Sequence, residues 1–162
     1  MPSPRRNRGW IWYFVILGVL AAIFITVLVG FILRQQLKPE QLEIARTLWK
    51  QKGPASYDLE YTKTGTVTGR YKVRVRNGKV QSATLDGEPE KERLYVFRDM
   101  NALFEDIDGF LKIDAQPGNP RADMVATFDR TDGHLLKLVR RVMGTSQRLE
   151  INVTLTPKAN SS

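Results

Sequence analysis

The sequence predicts an α+β domain carried behind one transmembrane helix. Three observations lead there. Residues 10–33 read WIWYFVILGVLAAIFITVLVGFIL without a single charge, which is the pattern of a membrane span rather than of a core helix. Beyond Pro54, short runs alternate apolar and polar residues at the period of half-buried strands. Those runs come in two groups of three, each preceded by a helical stripe. The order is helix-β3-helix-β3, with helices packed on an antiparallel sheet.

Residues 1–9 form a basic leader containing Arg5, Arg6 and Arg8. The segment 10–33 would extend about 36 Å as a helix, longer than the roughly 30 Å hydrocarbon core, so some tilt is expected. Sixteen of its residues are Leu, Ile, Val or Phe. At roughly −0.3 to −0.6 kcal/mol each near the centre, they favour insertion by something on the order of 5–10 kcal/mol. A cleaved signal peptide would carry an apolar run of only about 7–15 residues before a small-x-small site. Val19-Leu20-Ala21 is a poor site in mid-segment, and lipoprotein processing needs a cysteine that the chain does not have. An uncleaved, single-pass signal anchor is the expectation, with the lipid bilayer as the partner of residues 10–33.

The leader concentrates arginine, which places the N-terminus in the cytoplasm and the domain outside it. Trp10, Trp12 and Tyr13 suit an aromatic belt at the inner interface. The far flank (Arg34, Lys38, Arg46) is also basic, but Glu40 and Glu43 dilute it. Gly18, Ala22, Thr26 and Gly30 repeat at every fourth position. Such a small-residue stripe lets two helix backbones approach, so self-association or a partner helix is a candidate contact. The plain alternative is that small residues are common in membrane helices.

The net charge of +8 raises the question of nucleic acid. Five of the cations flank the anchor, and from Pro39 onward 20 Lys and Arg face 17 Asp and Glu. The surplus thus belongs mostly to the membrane edges and argues against a nucleic-acid binder. The absence of cysteine removes disulfides, thiolate metal sites and thiol catalysis together.

Residues 34–53 read as a juxtamembrane linker helix. Pro39 suits a first turn, Leu42, Ala45, Leu48 and Trp49 recur at helical spacing, and Gly53-Pro54 stops the run. Little slack separates anchor and domain, so the domain is expected close to the bilayer. Residues 54–157 form that domain. Tyr57 to Tyr61 alternates with acidic residues, and Arg70 to Arg76 alternates with basic ones. Asn77-Gly78 is a strong type I′ hairpin signal that returns the chain through Val80, Ser82 and Thr84 to Asp86-Gly87. After a charged loop (Glu88 to Arg93), a helix over roughly 94–112 carries Phe97, Met100, Phe104, Ile107 and Leu111 as its buried stripe. Asp99, Glu105, Asp106 and Asp108 lie away from that stripe. Following the Pro117-to-Pro120 loop, strands are expected at Met124–Phe128, at His134–Val142 with Leu136 and Leu138 inward, and at Leu149–Leu155. Residues 158–162 read as a disordered tail.

The run from Trp49 through Tyr57-x-Leu-x-Tyr61 to Val73-x-Val75-x-Asn77-Gly78-Lys79-Val80 resembles a family of small bacterial envelope proteins, the domain-of-unknown-function family DUF6174. Ala126-Thr127-Phe128-Asp129 with its glycine turn is similar to the family's second half, and the resemblance covers roughly residues 42–155. It implies a bacterial envelope location and brings no catalytic residues. Members are often lipoproteins, whereas this chain substitutes an apolar helix for the lipid-bearing cysteine.

Each candidate for chemistry has a structural alternative. His134, the only histidine, lacks the nucleophile elbow of a triad and the further nitrogen or sulfur ligands of a zinc site. Asp129, Asp132 and Gly133 faintly resemble a calcium loop, yet Asp and Gly also satisfy the backbone of a hairpin turn. Glu105, Asp106 and Asp108 offer acid and base, but successive helix positions diverge instead of converging on a substrate. The most pointed feature is the row Arg70, Lys72, Arg74, Arg76 on one strand face. It suits lipid headgroups, an anionic envelope polymer or nucleic acid, although no exposed aromatics interleave it for stacking on bases, and Asp58 and Glu60 on the preceding strand are placed to pair with it.

A noncatalytic binding or interaction module of the cell envelope is therefore expected, with no cofactor and no metal. The alternative is a hydrolase-like carboxylate site assembled only in the fold. Convergence of Glu105, Asp106, Asp129, Asp132 or His134 in one pocket would distinguish the two.

Overall fold

The computed structural model describes residues 9–34, 36–90, 94 and 97–158, and, within the first helix, the side chains of Trp10 and residues 12–27. The arginines of the leader, residues 91–93 of the charged loop, Tyr95 and Val96, the side-chain surroundings of Gly30, and the tail beyond Lys158 lie outside the described residues. The chain divides into two compact units, one ending at Gln36 and the other spanning Leu37–Ser162.

The first unit is built on α1 (Gly9–Arg34), a continuous helix of 26 residues. Nothing in it breaks the backbone ladder: it has no proline, and the Thr26 hydroxyl turns back to donate to the Ala22 carbonyl at 2.8 Å. Around Gly18 the surface is open, with no heavy atom within 4 Å of where a Cβ would stand. Among the described residues no helix is long and apolar enough to cross a membrane.

The second unit is α+β. It begins with α2 (Pro39–Lys52), where the Lys38 N–H donates to Gln41 Oε1 at 3.0 Å and proline occupies the first turn. Four strands follow: β1 (Tyr57–Thr64), β2 (Gly69–Arg76), β3 (Lys79–Leu85) and β4 (Glu88–Glu90). Then come α3 (Met100–Asp114), β5 (Ala122–Phe128), β6 (Leu135–Val142) and β7 (Arg148–Pro157). All pair antiparallel in one seven-stranded sheet of order β4-β3-β2-β1-β7-β6-β5. Two meanders are thus zipped together by β1 against β7, the pairing of greatest sequence separation.

Alternation decides which side of the sheet is buried. Tyr57, Leu59 and Tyr61 of β1, Val73 and Val75 of β2, and Ile151 and Val153 of β7 are all buried on the helix side. Against them pack Leu42, Ala45 and Trp49 of α2 and Met100, Leu103, Phe104 and Ile107 of α3. Trp49 meets Tyr57 edge-on with ring centres 5.4 Å apart, and Phe104 stacks on Phe128 at 5.9 Å. Besides following α1 in the chain, α2 contributes its apolar stripe to this core. The opposite face of the sheet carries no helix of this unit.

Several expectations need correction. The Asp86-Gly87 turn, with both residues at positive φ (51° and 94°), opens one more hairpin and adds β4. Its sequence, Glu-Pro-Glu, has no β-branched or aromatic residue to signal a strand. Helix α3 starts at Met100 because Asp99 is its N-cap, accepting from the Ala102 N–H at 2.8 Å. Phe97 is buried ahead of the helix, and Leu103 joins the stripe in its place. In β6 a bulge opposite Thr127/Phe128 lets Leu135 and Leu138 both point inward, leaving Leu136 half-buried.

Candidate functional site

The outer sheet face is built by register. Asp58 lies opposite Arg74 and Glu60 opposite Lys72, so both carboxylates of β1 share a face with the cations of β2. Glu60 receives Lys72 at 2.8 Å and Arg70 at 3.2 Å. Asp58 receives Arg76 at 2.8 Å and Arg74 at 3.9 Å, and Lys158 reaches it at 3.6 Å. The whole sequence-predicted row is therefore gathered in one place and paired as expected. Arg70, Lys72 and Arg74 nonetheless stay at least half exposed (65, 51 and 60%), while Arg76 is tucked in at 26%. Arg76 also donates to the Tyr57 carbonyl at 3.0 Å, which fixes it as the most structural member.

Five cations crowd two carboxylates, and the carboxylates respond. Glu60 is held below its usual range by the Lys72 hydrogen bond, against a smaller effect of burial, and then by the Lys72 charge and Arg70. Burial pushes Asp58 up, but the Arg76 hydrogen bond and the charges of Arg76, Lys158 and Arg74 together outweigh it and lower its pKa. The same motif recurs on β7. Glu150 takes Lys137 and Arg148, each at 2.8 Å, and its pKa falls to about 2 through Lys137, Asn152 and Arg148. Around Asp58, Glu60 and Glu150 on this face, seven cations of the described residues are paired with three carboxylates.

A shallow groove of about 240 Å³ runs over β1, β2 and β3, lined by Asp58, Glu60, Lys72, Arg74, Ser82 and Thr84 among others. The Thr84 hydroxyl in it is buried without a hydrogen-bond partner among the described residues. Lys158, Lys137, Arg148 and Glu150 were not legible as members of the face. Lys158 looked like tail, yet its N–H donates to the Ser56 carbonyl at 3.0 Å because β7 lies beside β1.

The Asp129–His134 turn brings three candidates together. One ligand atom from each of Asp129, Asp132 and His134 lies within 4.8 Å of the others. One oxygen of each carboxylate is already engaged by the turn itself. Asp129 Oδ1 accepts from the Thr131 and Asp132 N–H groups at 2.7 and 3.4 Å, and these bonds, Thr131 first, lower its pKa. Asp132 Oδ1 accepts from the His134 N–H at 3.0 Å and contacts His134 Nδ1. Gly133, at φ +83°, presses this turn against α2: a Cβ there would meet the Ala45 carbonyl, with Leu48 Cβ and the Trp49 nitrogen at 3.0 Å. These contacts are what a packed turn requires of its own side chains.

Glu105, Asp106 and Asp108 do not join that cluster. Asp106 pairs with Arg98 at 3.1 Å, Asp108 with Lys112 at 2.7 Å along the helix, and Glu105 is exposed.

Residues 41–119 match the model of a family of unknown function (DUF6174). That supports the family resemblance over α2, the first meander and α3, while the Ala126–Asp129 similarity lies beyond the matched residues. No curated protein and no solved structure matches the chain.

Proposed function

We propose, taking the match to a family of unknown function as premise, that the chain is a single-pass membrane protein of the bacterial cell envelope. Its α+β unit serves as a noncatalytic binding module, and the outer sheet face is the surface that meets an anionic partner, namely lipid headgroups or a polyanionic envelope polymer. One observation carries this reading: around Asp58, Glu60 and Glu150 seven cations are paired with three carboxylates, on a sheet face that no helix of the described residues of this unit covers. A pairing pattern that served only the fold would need no such surplus. The unsatisfied Thr84 hydroxyl in the groove adds a hydrogen-bonding group there.

Support for the anchor comes from α1. Its large apolar side chains between Trp12 and Val27 are each 50–67% exposed. In water that surface costs roughly 25 cal/mol per Å². The internal Thr26–Ala22 bond is what a hydroxyl in hydrocarbon requires. The leader arginines support a cytoplasmic N-terminus and an extracytoplasmic domain. The Gly18, Ala22, Thr26, Gly30 stripe supports pairing of α1 with a second copy or a partner helix. Gly18→Ile with Ala22→Ile should abolish that pairing in a membrane two-hybrid assay without blocking insertion.

The hydrolase alternative calls for carboxylates aimed at a substrate. Asp129 and Asp132 instead serve their own turn, and Glu105 and Asp106 stand apart from them, which favours the binding reading. Charge-neutralising variants of opposite sign test it. Asp58→Asn with Glu60→Gln should tighten binding to anionic vesicles several-fold, and Arg74→Gln with Arg76→Gln should weaken it several-fold. Equal binding by both variants would reject the face as the contact surface.

A further inference from the structure

A second cavity of about 240 Å³ opens beside the end of α3, sharing only Arg148 with the paired cations of the outer face and lined by Lys63, Thr66, Val67, Phe110, Arg140, Gln147, Arg148 and Leu149. Its floor is apolar, with Phe110 and Leu149 packed against the core and Val67 at the β1–β2 loop. Among the described residues, three cations line it and no carboxylate does. Two of the three are neutralised in place. Arg140 is clamped on Asp114 through two hydrogen bonds, Nε at 3.0 Å, with its guanidinium carbon 5.0 Å from the Phe110 ring centre. Arg148 is paired with Glu150 at 2.8 Å.

Lys63 is different. It continues the inward register of Tyr57, Leu59 and Tyr61, opposite buried Ile151, and among the described residues its side chain has neither an ion pair nor a hydrogen bond. The cavity wall beside it is preformed. Gly65, at φ +146°, brings the β1–β2 loop so close to β7 that a Cβ would overlap the Arg148 carbonyl. A half-buried lysine whose side chain has no partner among the described residues, sharing a cavity lining with an aromatic and two aliphatic side chains, calls for a small ligand that is anionic at one end and apolar at the other.

We propose that this cavity binds a small carboxylate with an apolar body, its carboxylate on Lys63 and its body against Phe110, Val67 and Leu149. The volume is below the roughly 300–1,000 Å³ of drug-sized sites, so the occupant is small. Thr66 and Gln147 supply further polar groups at the lining.

The test uses the full chain in nanodiscs of zwitterionic lipid, with 4-fluorophenylacetate as the probe followed by fluorine NMR against empty nanodiscs. Saturable binding is expected, with half-saturation below about 5 mM. Lys63→Met should weaken it at least tenfold and Lys63→Arg should restore most of it, while Val67→Trp should block the cavity. The neutral 4-fluorophenylacetamide should bind at least tenfold more weakly than the acid. Arg74→Gln with Arg76→Gln should leave binding unchanged, which separates this cavity from the ladder. Absence of saturation by about 10 mM overturns the proposal. So does equal affinity for the amide, unchanged binding in Lys63→Met, or loss of binding in the ladder variant alone.

Discussion

The Tyr57 hydroxyl accepts a hydrogen bond from the Met100 N–H at 3.2 Å, joining the first strand of the sheet to the first turn of α3. Tyr61 does the same for Arg98, also at 3.2 Å, two residues earlier. The opening N–H groups of a helix have no partner within it, so the Tyr57 phenol satisfies that of Met100, while the Tyr61 phenol holds Arg98 just ahead of the Asp99 cap, and together they seat the start of α3 on the sheet.

Tyr57→Phe should therefore destabilise the domain by about 1–3 kcal/mol, since it leaves the buried Met100 N–H unsatisfied while removing little apolar surface. Chemical denaturation of the variant against the native protein measures this. A change within about 0.5 kcal/mol would show that water replaces the phenol.

Burial raises the pKa of both tyrosines to about 12, despite the opposing hydrogen bonds. A group whose pKa is raised on folding stabilises the fold fully below its unfolded value, near 10, and loses that contribution as pH climbs through the folded value. Stability should thus fall between pH 10 and about 12, with a shallower fall in Tyr57→Phe. Ultraviolet titration of phenolate alongside circular dichroism checks that ionisation and unfolding coincide.

Gly133→Ala and Gly144→Ala separate conformational strain from close approach. Both glycines have positive φ (83° and 74°), but Gly144 faces open space and Gly133 abuts the α2 backbone at Ala45. The first substitution should cost at least about 2 kcal/mol and the second about 1. Equal losses would mean that the turn moves away from α2 freely.

At low pH the depressed carboxylates act in the opposite sense to the tyrosines. Glu150, lowered to about 2, contributes stability that is complete above its unfolded pKa near 4.5 and disappears as pH falls through the folded value. Asp58 and Glu60 are lowered as well and act in the same direction. Acid unfolding should set in below pH 4.5, and Glu150→Gln should flatten the profile between there and about 2.

Much of this architecture was legible because local signals and tertiary packing agree. Asn77-Gly78 adopts φ values of 51° and 72°, as its type I′ signature requires, and the alternation in β1, β2 and β7 names their buried residues. Legibility ended where structure depends on distant partners. The Asp99 cap of α3 is a local contact with Ala102 that the apolar Phe97 ahead of it obscured, whereas nothing local announces that a bulge turns Leu135 inward. The basic row and its acidic partners were visible because β1 and β2 are joined by one short loop. Lys158, Glu150, Lys137 and Arg148 join the same face only through the β1–β7 pairing, which spans most of the domain. The Lys63 cavity has the same origin, because its walls come from β1, α3, β6 and β7.

A phosphatase fused after Ser162 should be active outside the cytoplasm and a fluorescent protein fused there dark, since the leader holds Arg5, Arg6 and Arg8 ahead of the apolar run. The reverse pair of outcomes would place the α+β unit in the cytoplasm.

The most direct test of the central claim is the salt dependence of vesicle binding by the folded unit from Leu37 onward. If the outer face carries its charge surplus to an anionic surface, the unit should bind phosphatidylglycerol vesicles at low salt and ignore phosphatidylcholine vesicles. Affinity should drop about tenfold or more as salt rises from about 50 to about 200 mM. Failure to bind anionic vesicles at low salt, or binding that salt leaves unchanged, would contradict the account and leave the ladder as a purely structural pairing.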